Sequence, residues 1–277
     1  MCIFVLFCFV ISNEVVLLGE YRVLVHDRHQ QIMQLLHELQ SVKTADLIAR
    51  FGVSFETIRR DLEYLEQEGF LKRVHGGATL PAADYQKELP FSVREMKRIQ
   101  EKRELAQIAL RYVEEGQSLF LDVSTTNTEF AKALMAHFDR LTILTNSFPI
   151  ASILMAKPQF TIIFIGGAVR NSERCVVGDF AESFVSQFHA DLFFMSVSGI
   201  SLTEGVTDYG IGEIQLKKKM LERSQKVIVL ADSSKLNAVS LTPVCGLDKI
   251  DRIVTDSGAD PDILEQFKAA GVIIEYR

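Results

Sequence analysis

The chain has 277 residues, 48% hydrophobic and 24% charged, and a net charge of −6. That length allows two domains with ample core, and the composition excludes a disordered or fibrous chain. An acidic total argues against non-specific coating of DNA, but does not bear on a small module with its own charge distribution.

Residues 1–12, MCIFVLFCFVIS, are an apolar run shorter than the ~20 residues of a membrane span. They lack the basic n-region and small-residue cleavage site of a signal peptide. An over-extended start or a disordered extension is expected over residues 1–24. A membrane anchor and an extra element docked on the body are the alternatives.

Between Arg28 and Leu80 three apolar-periodic segments follow one another closely. Ile32, Leu35, Leu36 and Leu39 mark the first helix; Leu47, Ile48 and Phe51 the second; Ile58, Leu62 and Leu65 the third. Gly52-Val53 closes the second, Ser54 caps the third, and Gly69 ends it as a left-handed cap. Helix, tight turn, helix is the arrangement whose second member enters the DNA major groove. On that member Phe55, Glu56, Thr57, Arg59 and Arg60 are expected to face outward. Arginine there can bond guanine bidentately or clamp phosphate, and Asp61 and Glu63 are expected to orient the guanidinium groups. Phe70–Ala78 reads as strand, glycine turn, strand: a wing carrying Lys72, Arg73, His75, Gly76 and Gly77. With Lys43 and Ser54 these are the candidate contacts to double-stranded DNA. Arg22–Leu80 balances eight Lys/Arg against eight Asp/Glu, so placement of charge matters more than its sum. Packing alone would explain neither the TIRRDL block nor the glycine turn.

The sequence VSFETIRRDLEYLEQEGFLKRVHGGA resembles the signature of the DeoR family of bacterial transcription regulators. Val53-Ser54, Thr57–Leu62, Leu65, Gly69, Leu71, Arg73 and His75–Ala78 carry the resemblance.

Residues 81–90, PAADYQKELP, read as a linker. Phe91–Val113 reads as one long helix. Its basic residues Arg94, Lys97, Arg98, Lys102 and Arg103 suit a solvated face, with auxiliary phosphate contacts as the other use. From Gly116 onward, short apolar strands alternate with helices, which implies a mainly parallel sheet covered on both faces. Ligands in such sheets bind beyond the carboxyl ends of the strands. There stand Asp122, Ser124, Thr125, Thr126, Asn146, Ser147, Gly166, Gly167, Arg170 and Lys235. Hydroxyls, backbone N–H groups at a helix start and two cations suit a phosphorylated sugar or polyol; plain N-capping is the other reading of Ser124–Thr126. Cys2, Cys8, Cys175 and Cys245 show no CxxC and no metal spacing, so reduced thiols in a cytoplasm are expected, with no metal and no cofactor.

LDVSTT, ILTNS, IGGAVR, DLFFMSVSGIS, EIQLKKKM and VLADSSK are similar to the effector-sensing domain of the same family. The resemblance implies an α/β chain in two parts: a small winged helix-turn-helix domain at 25–80, and a larger Rossmann-like effector domain at 91–277 similar to ribose-5-phosphate isomerase. It implies a homo-oligomeric DNA-binding regulator, usually a repressor, released or modulated by a phosphorylated sugar. Ser124 departs from the family pattern by occupying a glycine slot, where its Cβ is expected to crowd a phosphate. The alternative is an isomerase-like enzyme with an appended DNA-binding module, in which Asp122, Asp208, Glu213 and Lys235 could do acid–base work.

Overall fold

The computed structural model describes residues 10–11, 14–15, 25–67, 70–80 and 91–277, in two compact units divided at Asp84/Tyr85. The expectations for Gly69, the linker 81–90 and most of residues 1–24 lie outside the described residues.

In the N-terminal unit β1 (Val10–Ile11) pairs antiparallel with β2 (Glu14–Val15). Then come α1 (Val25–Leu39), β3 (Ser41–Lys43), α2 (Thr44–Phe51), α3 (Phe55–Gln67), β4 (Lys72–Val74) and β5 (Gly77–Thr79). Ile32, Leu36, Leu47, Ile58, Leu62 and Leu65 form the buried core, as their spacing requires. Leu39 departs from that pattern and is 63% exposed. It ends α1, because Gln40 turns into the left-handed region (φ 63°). That turn sends the chain into β3, a strand not evident in the sequence, which completes a three-stranded sheet in the order β3-β5-β4. A Cβ on Gly77 would stand 2.0 Å from the Val42 carbonyl oxygen, so only glycine lets β5 close on β3.

The second unit begins with α4 (Phe91–Met96) and α5 (Ile99–Ala109). The single helix expected over Phe91–Val113 is therefore broken, and the break falls at Arg98 (φ 51°, ψ 43°). Next come β6 (Ser118–Leu121), α6 (Thr125–His137), β7 (Thr142–Thr145), α7 (Phe148–Leu154) and β8 (Thr161–Phe164). A hairpin of β9 (Ala168–Arg170) and β10 (Cys175–Val177) leads to α8 (Asp179–Val185) and β11 (Ala190–Ser196). Then follow β12 (Gly199–Ser201), β13 (Gly205–Asp208), α9 (Ile211–Glu222), β14 (Ser224–Leu230), β15 (Thr242–Cys245), β16 (Arg252–Val254), α10 (Pro261–Ala269) and β17 (Ile274–Glu275).

Seven parallel strands form the main sheet, in the order β17-β16-β14-β11-β6-β7-β8. Alternation along each strand divides the core. Phe120, Phe193 and Val229 face α8, α9 and α10; Leu119, Leu121, Phe194 and Ile228 face α5, α6 and α7. A second sheet, β12-β13-β15, is antiparallel and was not evident in the sequence. From β6 the chain winds outward through β7 and β8, then returns to place β11 on β6's other side. The tips of β6 and β11 therefore flank the point where winding reverses, where such sheets open a crevice.

Candidate functional site

On α3 the apolar face buries Ile58, Leu62 and Leu65, and the opposite face presents Phe55 (60% exposed), Glu56, Arg59 and Arg60. Ser54 caps the helix: its Oγ accepts the Thr57 N–H at 3.1 Å and meets the Thr57 hydroxyl at 2.9 Å. Arg59 donates to Glu56 at 2.9 Å and to Glu63 at 3.0 Å, and Arg60 donates to Glu56 at 3.1 Å. Hydrogen bonding from Arg59 holds the Glu56 carboxyl down to about 2. Asp61 does not join them. It turns inward and takes Arg28 (2.6 Å) and His29 (2.9 Å) from α1, because its position lies between Ile58 and Leu65 on the buried face. In the wing Lys72, Arg73 and His75 are exposed around the turn at Gly76, and Arg73 pairs with Glu66 at 2.8 Å. Lys43 is exposed just ahead of α2. The candidate contacts thus fall on α3, the wing and the start of α2, where base edges and phosphates can be met together.

In the second unit a cavity of about 340 Å³ opens at the reversal point. Six cations line it (Arg94, Lys97, Arg98, Lys102, Lys217, Lys235) against four carboxylates, Glu173, Asp208, Glu213 and Asp232. Arg94 is paired with Glu173, and Lys217 with Asp208 and Asp122. Lys97 and Lys235 have no carboxylate partner among the described residues. Lys102 is buried and donates to two carbonyls, those of Arg94 and Lys97. Burial pushes its ammonium down to about 8, with Arg94 and Lys235 adding to the effect and Asp232 opposing it. Burial, then the charges of Lys235 and Arg98, also lower Lys97. Arg98 lies 3.7 Å from Asp232 and 3.6 Å from Glu101, and crowding of this kind between cations is what a bound anion would relieve. The expected solvated face of Arg94–Arg103 is thereby corrected: Arg103 alone of these basic residues lies off the cavity, exposed and paired with Glu129 at 3.2 Å.

Ser124, Thr125 and Thr126 form the facing wall. Ser124 is extended (φ −167°), a conformation any residue adopts, and its Oγ caps α6 by accepting the Asn127 N–H at 2.8 Å. The serine thus occupies one donor of the helix start rather than straining it. The N–H groups of Thr125 and Thr126, the first two of α6, have no intrahelical acceptor. Thr125 and Thr126 are largely buried residues on the cavity lining, and their hydroxyls have no partner among the described residues.

Six of the expected effector residues lie behind the cavity wall. Asp122 is buried, accepting Ser196 N–H (3.2 Å), Ser196 Oγ (3.0 Å), Asn127 Nδ2 (2.6 Å) and Lys217 Nζ (2.9 Å). Asn146 ties Val123 N–H (3.1 Å) to the Val176 carbonyl (2.9 Å), and Ser147 caps α7. Gly166 and Gly167 lead into the β9–β10 hairpin, where a Cβ on Gly167 would stand 2.8 Å from Val176 Cγ1. Arg170 pairs at 2.6 Å with Glu213, which does line the cavity. Lys217 was missed by sequence reasoning. A lysine three residues after buried Ile214 and three before buried Met220 was the available signal. Arg94, Arg98 and Lys102, at spacing four, were another.

Asp122, Lys217 and Asp208 form one buried ionic group. Burial raises Asp122 against the pull of Lys217. At Asp208 burial is outweighed by Lys217 and the Ser198 hydroxyl (2.6 Å), and its pKa falls. Lys217 is held charged.

A winged helix-turn-helix joined in one chain to an α/β unit with a cation-lined cavity defines a DNA-binding transcription regulator with a sensor domain. The chain belongs to the DeoR family: residues 28–83 match the DeoR-like helix-turn-helix domain and 97–257 the DeoR C-terminal sensor domain. It is 32% identical to the HTH-type transcriptional regulator GolR of Listeria innocua, over 90% of this chain and 97% of that one. It is 31% identical to the glycerol-3-phosphate regulon repressor of Escherichia coli K12, over 86% and 93%. Among solved structures, ribose 5-phosphate isomerase A from Methanocaldococcus jannaschii is similar over 48% of this chain and 52% of that one, with a TM-score of 0.36 and 16% identity.

Arg59→Ala and Arg60→Ala are each expected to cost about 1–3 kcal/mol of operator binding at fixed salt. The fold should be retained, since both side chains lie outside the core; unchanged affinity in both would remove α3 as the reading helix. Lys217→Met leaves two carboxylates buried without their cation, a loss of about 3–5 kcal/mol near neutral pH. In that variant both folded-state carboxyl pKa values lie above their unfolded values, so the loss shrinks as pH falls and both carboxyls protonate. Urea unfolding at pH 5 and pH 8 measures this, and equal losses would contradict it.

Proposed function

We propose that this regulator is a cytoplasmic repressor of a carbohydrate or related metabolic operon. It binds its operator as a homo-oligomer and is modulated by a phosphorylated sugar or polyol. The observation that carries this reading is the cavity at the β6/β11 reversal, lined by threonine hydroxyls without a partner, and by Lys97 and Lys235 without a carboxylate partner, among the described residues. A phosphate monoester supplies what both walls lack: acceptors for N–H, O–H and ammonium donors. The carboxylates Asp208 and Glu213 lie on the same lining and suit the hydroxyls of a polyol. A relative named for a glycerol-3-phosphate regulon supports the same ligand class. Oligomerisation follows from the two-fold operators that helix-turn-helix proteins read. No helix among the described residues is long and apolar enough to cross a membrane.

The enzymatic alternative has less support. Asp122 and Asp208 are both engaged by Lys217, and Glu213 by Arg170. A general base needs a carboxylate in reach of substrate and able to take a proton.

Calorimetric titration of the full chain with glycerol 3-phosphate, ribose 5-phosphate and related esters tests this reading. At least one ester should bind where its unphosphorylated parent does not, and ribose 5-phosphate should not turn over. Thr125→Val or Lys235→Ala should each lose about 1.5–3 kcal/mol of ester binding while operator binding without ligand stays near normal. Because burial pushes the Lys102 ammonium down to about 8, a bound anion should raise it and binding should take up a proton. Affinity should therefore fall as pH rises past that value. Equal binding of the parent sugars, or equal ester binding in both variants, would refute the site.

A further inference from the structure

The break between α4 and α5 coincides with the cavity. Arg98 adopts a left-handed backbone (φ 51°, ψ 43°), which a residue with a side chain holds only when its surroundings impose it. Lys97 and Arg98, the two residues at the break, both line the cavity. From α5 the buried Lys102 ammonium donates to the carbonyls of Arg94 and Lys97, in the last turn of α4, where the break removes the usual N–H donors. Arg98 lies 3.7 Å from Asp232, which begins the turn carrying Lys235. Lys235 completes the cationic lining from the sheet side. The break is thus held by cations that repel one another, with Arg98 reaching towards Asp232 and Glu101.

We propose that a phosphate dianion in this cavity bridges the break to the sheet, contacting Lys97 and Arg98 on one side and Lys235, Thr125 and Thr126 on the other. Occupancy thereby fixes the α4–α5 geometry. This rests on the reading of the cavity as a phosphorylated-metabolite site and adds how that site is read out. With the dianion present, like-charge repulsion between the walls becomes attraction of both to one centre. Without that centre, the Lys102 staple and the Arg98 contacts work against the repulsion at the break.

Amide hydrogen exchange on the full chain tests this, with inorganic phosphate and glycerol 3-phosphate as probes and calorimetry run alongside to confirm saturation. In the parent chain, saturation should slow exchange across 95–103 by about tenfold or more. The double variant Lys97→Ala with Arg98→Gly removes both cations, and glycine accepts a positive φ without steric cost, so the break itself is preserved. At saturation through Lys235 and α6 it should show no slowing. Slowing retained in the double variant would overturn the bridge. So would saturation of the parent without slowing. No binding of either probe to the parent would overturn the cavity reading itself, a distinct result.

Discussion

The buried group Asp122–Lys217–Asp208 is the constraint on which the sensor unit depends. It sits where β6 and β11 end side by side, at the reversal of the winding, and ties four elements at one point: β6 through Asp122, β11 through Ser196, β13 through Asp208 and α9 through Lys217. An ammonium at this depth is tolerable only with matched carboxylates, and two buried carboxylates only with the ammonium. The result is a rigid back wall. Ser124–Thr126 are presented from it at the start of α6, and Ser198 and Tyr209 are drawn to Asp208 by hydrogen bonds of 2.6 and 2.9 Å.

Cations are handled in opposite ways in the two units. On α3 and the wing, Arg59, Arg60 and Arg73 each rest on glutamates one or two turns away, in exposed pairs that add little stability. Such pairs keep the guanidiniums extended and can be exchanged for phosphate or guanine at small cost. Among the described residues the cavity's Lys97 and Lys235 lack such partners, and Lys102 is satisfied by carbonyls. Exposed, self-paired arginines suit a surface that must dissociate. Partly buried, unpaired lysines suit a site that awaits one compact anion.

The sequence was most legible where periodicity and local chemistry coincide. The three N-terminal helices, the glycine-tight wing and the strand–helix alternation of the sheet were all readable, because each obeys a short-range rule. Asp61 was misassigned because its neighbours on the chain are arginines, whereas its neighbour in space is Arg28, 33 positions away. The same distinction separates Asp122 from Ser124. Both follow β6, but the strand pleat and the cap turn one inward and the other toward the cavity. Asn146, Ser147 and Gly167 stand at strand ends as expected, and the long-range contacts that give them packing and capping roles leave no local trace. The antiparallel β12-β13-β15 sheet, and the break at Arg98 with no glycine or proline to signal it, were illegible for the same reason.

The proposed function requires that occupancy of the sensor cavity and operator binding be coupled within one chain. Its most direct test is a closed thermodynamic cycle on the full-length protein. The operator would be taken from a random-sequence selection and the ligand from the tightest-binding phosphate ester. Operator affinity is measured with and without saturating ester, and ester affinity with and without saturating operator. Both must change by the same factor, about 5–150-fold for couplings of 1–3 kcal/mol. An ester that binds tightly yet leaves operator affinity unchanged, with its own affinity indifferent to the operator, would contradict the account.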